Sequence, residues 1–362
     1  MAEDWIETPC PEPSAAHAAA AQDRQSRLTK PAGSLGTLET IAGKLAALQR
    51  TDSPRAARAP IVLFAGDHGV TAHGVSLYPS TVTVEMLKNF AAGGAAIAVL
   101  ARELGVPLTV VDAGTLADAP VPGVITDKPR RGTRDFAVER ALALEEVHFA
   151  FDAGRRALSR AAPGGADIIL FGDMGIGNTT SAAAVAAALL GRPAADLAGA
   201  GTGLDGPQIA HKGCIIAAAL ERHGLDRPDV TILDVLSAVG GLEIAALSGA
   251  IVAAAQASIP VLVDGYIVSV AALAAARLNP SCRPWLIFSH RSAERGHRLV
   301  LEALAAEPIL DLGLRLGEGS GAAVALAVVR LACALHNGMA TFEEAAVSGP
   351  GANPRREPSP CR

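Results

Sequence analysis

The chain has 362 residues, enough for one large α/β domain or two ordinary ones and for a sizeable buried core. Its 31 basic and 36 acidic residues give a formal charge of −5, and only 3% of the residues are aromatic. This balance argues against nucleic acid as the main partner, because proteins that bind it present a basic face. The five cysteines are scattered and form no C-x-x-C pair, which predicts a reducing compartment and no structural zinc.

The N-terminal segment carries acidic residues and lacks the basic start and apolar stretch of a secretion signal. We therefore expect a cytoplasmic protein. Residues 14 to 50 have a helical pattern that is interrupted at "KPAGSLG" (30–36). We expect residues 10–50, together with parts of 301–345, to form a small helical domain.

Short apolar runs recur along the next part of the chain and end in small or polar residues. They are rich in Val, Ile, Leu and Phe without alternation, which is typical of strands buried on both faces of a parallel sheet. The runs cover 60–69, 107–114, 167–175, 259–265 and 284–290, and Ala-rich segments typical of helices lie between them at 179–190 and 268–278. The pattern predicts an α/β fold, doubly wound, in a large domain over 55–300.

One charge-free run, 244–263, reaches the length of a membrane span. It contains Gln256, Ser258 and Pro260 and consists mostly of Ala, so we predict a buried helix followed by a buried strand and no membrane partner.

Polar side chains follow the predicted strands. In doubly wound sheets ligands bind outside the carboxyl ends of the strands, so the site is expected along that edge. The residues that would lie there are Asp67, His68, Asp173, Asp264, Ser289 and His290. For "GDHGV" (66–70) we predict an Asp67–His68 hydrogen bond that holds a loop, and no metal, since no second His or Cys is near.

The segment 78–96 is predicted to be a helix that begins near Pro79. Met86 and Phe90 are four residues apart and share one face. Such a stripe is usually ordinary core packing, and the alternative is a pocket for a flat apolar ring.

Glycine-rich segments follow the third and later strands. In "GDMGIGNTTSAA" (172–183), glycines precede Asn178, Thr179 and Thr180, which open a helix; this suits a phosphate or ribose, or equally a tight turn with capping residues. The loop in "GAGTGLDGPQIAHK" (199–212) is followed by Lys212, a natural phosphate ligand, and "SHRSAERGH" (289–297) offers Ser292.

The segment "LGLRLGEGSGAAVAL" (312–326) places the carboxylate of Glu318 between two glycines. A glycine loop of this kind usually binds phosphate through backbone N–H groups, where an anion would repel the ligand. Glu318 therefore predicts a role other than phosphate binding. After it, the Pro-, Gly- and Arg-rich tail 348–362 is expected to be disordered.

The chain resembles the nicotinate-nucleotide:dimethylbenzimidazole phosphoribosyltransferases. The blocks that match, in the family's order, include "KPAGSLGTLE", "GDHGV", "GDMGIGNTTSAAA", "GAGTGLD", "SHRSAERGH" and "LGLRLGEGSGAAVAL". The resemblance implies transfer of 5-phosphoribose from nicotinate mononucleotide to 5,6-dimethylbenzimidazole with inversion at C1′, without a cofactor. It also implies a Rossmann-like, mostly parallel sheet flanked by helices, a smaller helical domain and a homodimer.

The same resemblance implies roles for individual residues. Glu318 would be the general base, which takes the proton of the incoming ring nitrogen. The phosphoribosyl part would be held by Gly175, Gly201, Gly203, Lys212 and Ser292, and the ring pocket would be lined by Leu316 and the segment from Tyr78 to Met86.

Two positions depart from the family's pattern. Asp173 stands where the family commonly has Glu, and could assist catalysis or bind ribose. Glu85 stands where the family often has Gln, which puts a second carboxylate near the acceptor ring.

Three alternatives remain open at this point. The first is the same chemistry on another base: benzimidazole, a purine or a phenol. The second is a non-catalytic nucleotide sensor, which Glu318 argues against. The third, a nicotinamide-dependent oxidoreductase, lacks the G-x-G-x-x-G spacing.

Overall fold

The fold is built on one parallel sheet. A computed structural model describes residues 5–227 and 229–349. The strands are β1 (Ile61–Gly66), β2 (Leu108–Gly114), β3 (Ile125–Thr126), β4 (Ile169–Met174), β5 (Val261–Val263) and β6 (Leu286–Phe288). Their order is β3-β2-β1-β4-β5-β6 and every pairing is parallel. This is the strand order of the doubly wound nucleotide-binding fold, so the predicted Rossmann-like class is confirmed.

Helices cover the sheet and extend beyond it. They are α1 (Ala15–Arg27), α2 (Thr37–Gln49), α3 (Thr81–Ala92), α4 (Ala96–Leu104), α5 (Leu144–Ala161), α6 (Asn178–Leu190), α7 (Ala194–Leu197), α8 (Gly206–Arg222), α9 (Ile232–Val239), α10 (Leu242–Gln256), α11 (Tyr266–Leu278), α12 (His297–Ala303) and α13 (Ser320–Gly338). Short 3₁₀ turns lie at Trp5–Glu7, Gly69–His73 and Pro280–Trp285.

Each of the five apolar runs contains one strand, because both faces of the sheet are covered and alternation is not required. The sequence did not predict the sixth strand, β3. It has two residues and pairs only through Val111 with Ile125 and Asp112 with Thr126 at one edge of the sheet. Two residues are too few to show a periodic pattern.

The charge-free run folds as predicted, into the buried helix α10 followed by β5. Alanine and glycine permit the close approach of α10 to α5. A side chain at Gly154 of α5 would overlap the backbone oxygen of Ala246, and one at Gly249 would overlap that of Phe151. The small residues therefore reflect helix packing against helix.

The helix predicted over 78–96 is shorter and is followed by a second one. It begins at Thr81 and ends at Ala92, the next residue Gly93 has a φ of 81° that reverses the chain, and α4 then starts at Ala96. The stretch Thr81–Leu104 and the helix Ser320–Gly338 are long and apolar enough to span a membrane by length and composition alone, a test that core helices also pass.

The N-terminal helices pack with the last helix. Helix α1 lies on α2, and α2 lies on α13. Gln25 of α1 bonds His336 of α13 at 2.9 Å, and Leu28 forms a bridge to Thr341. A division into a small domain of 10–50 with parts of 301–345 stays a prediction. Most of the predicted tail, 350–362, lies outside the described residues.

Candidate active site

A cavity of about 450 Å³ opens at the carboxyl ends of the strands. It lies beside the end of β4, which neighbours β1 at the point where the strand order reverses, the usual ligand position in such sheets. Its walls come from the start of α3, the β4–α6 turn, the loop around Gly201, the segment after β6 and the loop before α13. The predicted position of the site along this edge is therefore matched by the cavity.

Glu318 is held in this cavity by backbone groups. Its carboxylate Oε2 accepts a hydrogen bond from the N–H of Ile97, in the first turn of α4, at 3.3 Å. Its own N–H donates to the backbone oxygen of Asp173 at 3.2 Å. The residue is 5% exposed, and burial raises the pKa of its carboxyl group while the Ile97 N–H opposes that rise. Such a group is a better proton acceptor than an exposed glutamate.

The backbone around Glu318 has an unusual conformation. Gly317, Glu318 and Gly319 have φ angles of 84°, 64° and 86°, in the region that favours glycine. The loop also passes directly over β4, where a side chain at Gly172 would overlap the backbone oxygen of Glu318. Glycines on both chain segments are therefore what let the carboxylate reach the cavity.

Asp173 is buried at the end of β4, where it accepts a hydrogen bond from Asn178 Nδ2 at 2.9 Å. Burial raises the pKa of its carboxyl well above the usual value, and Asp264 and Glu243 add to the rise. The carboxyl of Asp173 therefore keeps its proton to higher pH than an ordinary aspartate does. Of the two carboxyls, Glu318 is the better placed to accept a proton.

The predicted Asp67–His68 hydrogen bond is wrong. His68 Nε2 pairs with Glu243 Oε1 at 2.8 Å, and both side chains are fully buried. Asp67 Oδ2 instead accepts from the N–H of Leu116 at 2.8 Å. The two residues are adjacent in sequence, but the strand end directs them to different partners.

The glycine segments converge as expected, with two differences. Gly175, Gly201 and Ser292 line the cavity, whereas Gly203 and Lys212 are not part of its lining. Lys212 is fully buried, and its Nζ donates to Thr179 Oγ1 at 2.7 Å. Burial lowers the pKa of this amine to about 8.

The predicted ring-binding residues lie at the mouth of the cavity. Tyr78 and Leu316 line it and are 53% and 60% exposed, and Met86 lines it while half-buried. The mouth of the cavity is stabilised by Thr202, whose Oγ1 accepts a hydrogen bond from the N–H of Leu77 at 3.2 Å. Glu85 is exposed on α3 and does not contribute to the cavity wall.

Sequence reasoning missed two charged residues of the lining. Glu294 is 8% exposed there, and Arg315 donates to the backbone oxygen of Gly201 at 3.2 Å. Both lie within motifs that the sequence marks by their glycines and polar residues. These two residues differ from surface charges such as Arg298 in where the folded chain places them, so their spacing in the sequence could not identify them. Within 5–227 and 229–349, no group of three potential metal ligands occurs.

Comparisons with known proteins extend over almost the whole chain. A family model described as "Phosphoribosyltransferase" matches residues 10–347. A nicotinate-nucleotide–dimethylbenzimidazole phosphoribosyltransferase of Bradyrhizobium sp. (strain BTAi1) is 66% identical over 349 residues, covering 96% of this chain and 99% of the relative. A protein of the same name from Pseudomonas aeruginosa (strain PAO1) is 55% identical over 349 residues, which again cover 96% of this chain and 99% of the relative.

A solved structure with the same enzyme name, from Thermus thermophilus, has a TM-score of 0.88 at 42% identity. The match covers 93% of this chain and 100% of that one. The sequence and the fold thus agree along their length, and the chain belongs to the nicotinate-nucleotide–dimethylbenzimidazole phosphoribosyltransferase family.

Proposed function

We propose that this protein transfers 5-phosphoribose from nicotinate mononucleotide to 5,6-dimethylbenzimidazole, giving α-ribazole 5′-phosphate and nicotinate. The names of relatives that match nearly the whole chain support this reaction. The observation that carries the mechanism is the Glu318 carboxylate, buried in the cavity and held by the Ile97 N–H.

The proposed reaction requires one general base. Nicotinate leaves from a cationic pyridinium, so its departure needs little help from an acid. One benzimidazole nitrogen attacks C1′ from the face opposite to the leaving group, which inverts β to α. The other nitrogen must lose its proton as positive charge develops in the ring. Glu318 takes this proton, a role typically worth about 10²–10⁴-fold in rate.

Asp173 has a different role. Its raised pKa favours the protonated form, which can donate a hydrogen bond rather than take the proton. It is positioned next to Gly317, and it is part of the cavity wall. We propose that it contacts the ribose.

The donor's phosphoribosyl group binds at Gly175, Gly201 and Ser292, with Lys212 supplying the positive charge. Three loops bring these residues together around the N-terminus of α6, where backbone N–H groups favour an anion. Gly203, exposed in the same loop as Gly201, supports the turn rather than the ligand.

The acceptor ring packs between Met86, Tyr78 and Leu316, which present apolar surface beside Glu318. Glu85 lies outside this wall, so its carboxylate does not select the base. Dimethylbenzimidazole is the acceptor that the relatives' names give, and competition with benzimidazole, adenine and phenol measures how strictly it is preferred.

We further propose that the enzyme acts in the cytoplasm as a homodimer. Sedimentation analysis can test the dimer.

The direct test is to incubate the purified protein with nicotinate mononucleotide and 5,6-dimethylbenzimidazole and to look for the α-nucleotide by mass spectrometry. Product that depends on both substrates supports the proposal. Binding of both without product would favour a nucleotide sensor instead.

A further inference from the structure

The Lys212 ammonium is separated from the cavity. It has no exposed surface, and its contacts are the hydroxyl of Thr179 at 2.7 Å and the backbone oxygen of Gly199 at 3.5 Å. No ion pair involves it in the part of the chain that the structure describes. The charge that favours its ionised form is that of Glu294, and its three donors meet only two acceptors among the described residues, both of them neutral.

Thr179 lies between this cation and the cavity. It is half-buried, lines the cavity and belongs to the first turn of α6. An ammonium group can only donate, so Thr179 Oγ1 accepts from Lys212 and keeps its own proton to donate. Within the described residues that proton has no acceptor.

Gly201 keeps the hydroxyl uncovered. A side chain added at this glycine, whose φ is 50°, would come within 2.7 Å of Thr179 Oγ1 and 3.4 Å of Lys212 Nζ. Glycine at this position thus leaves room beside both polar groups, although Lys212 itself has no exposed surface.

We propose that Thr179 donates a hydrogen bond to the donor's phosphate and that Lys212 acts on the phosphate through this hydroxyl. Thr179 is then a binding residue, and Lys212 is a positioning residue that orients and polarises it. The cation draws electron density from Oγ1 and so strengthens the hydroxyl as a donor. Burial lowers the pKa of Lys212 to about 8 and the charge of Glu294 opposes that fall, so the amine is mostly charged at neutral pH. The inference rests on the proposed function and adds how the phosphate is held.

The test compares two donors that differ only in the phosphate: nicotinate mononucleotide and nicotinate riboside. Thr179→Val keeps the shape of the side chain and removes the hydroxyl. We expect it to lower kcat/KM for the nucleotide roughly 10- to 100-fold, mostly through KM, while the value for the riboside changes little. Thr179→Ser retains the hydroxyl and should restore most of the preference for the nucleotide.

The coupling between the two residues is tested with Lys212→Met and the double variant. If Lys212 acts through Thr179, the double variant loses no more of the nucleotide preference than the more damaging single variant. Additive losses, or an unchanged donor preference in Thr179→Val, would overturn the proposal. Should Thr179→Val fold poorly, the same comparison is made with Thr179→Ser against Thr179→Ala, with circular dichroism as the folding control. Wild-type turnover of the nucleotide tests the proposed function separately.

Discussion

Replacing Glu318 by glutamine removes the proposed base and preserves the size of the side chain. The carboxamide oxygen can still accept from the Ile97 N–H, which lies 3.3 Å from the carboxylate oxygen in the native protein, so the loop should keep its position. We expect kcat to fall by about 10²–10⁴, the usual worth of a general base, with small changes in KM. This corresponds to about 2.7–5.4 kcal/mol of transition-state stabilisation.

The thermal stability of Glu318→Gln should not fall as its activity does. Burial raises the pKa of Glu318, so the folded state binds this proton more tightly than the unfolded chain does. Stability contributed by the protonated group is therefore lost as pH rises through the folded pKa. Glutamine carries no charge to bury, and we expect the variant to unfold at the same or a slightly higher temperature near neutral pH.

The assay is steady-state kinetics by chromatographic separation of the α-nucleotide, over a range of pH. In the wild type, kcat should fall on acidification above the pH expected for an ordinary glutamate, about 4.3, because the protonated group cannot act as a base. The variant should lack this dependence. Glu103→Gln, an exposed carboxylate on the same helix as Ile97, is the matched control. A kcat within about threefold of the wild type in Glu318→Gln would refute the assignment, since a general base is worth far more.

Three further variants or conditions test the site. Asp173→Asn replaces a carboxyl whose raised pKa favours the neutral form, and it should lower kcat by less than about tenfold, clearly less than Glu318→Gln; a larger loss would mean that its charge is needed. Gly172→Ala places a methyl group against the backbone oxygen of Glu318, so both thermal stability and kcat should fall, as calorimetry and kinetics can show; unchanged values would mean that the loop can move away. The KM for nicotinate mononucleotide should rise as pH increases through about 8, the pKa of Lys212, because the amine loses its charge, whereas the acceptor's KM should not follow it.

The sheet and the edge at which the candidate site lies could be predicted because their signals are local. Apolar runs without alternation mark the buried strands, and polar residues at their ends, such as Asp173, mark the ligand edge. Glu318 can be singled out in the sequence because a carboxylate between glycines conflicts with phosphate binding. The strand β3 could not be predicted because a strand of two residues at the edge of the sheet shows no periodic pattern.

Contacts between distant segments could not be predicted. Glu243 lies 175 residues from His68, and no spacing rule links them. Lys212 lies on a helix that follows a glycine loop, which is equally consistent with an ammonium open to the ligand and with the buried one observed. Both outcomes depend on how α6, α8 and the sheet pack together.

The left-handed backbone at Glu318 has a consequence for engineering. An L-residue in this region costs about 1–2 kcal/mol relative to glycine, and the flanking Gly317 and Gly319 leave Glu318 as the strained member of the run. A library of variants selected only for heat resistance should therefore enrich Glu318→Gly and so lose the proposed general base. The carboxylate is maintained against the preference of its own backbone, so thermostabilised variants must be screened for turnover at every round.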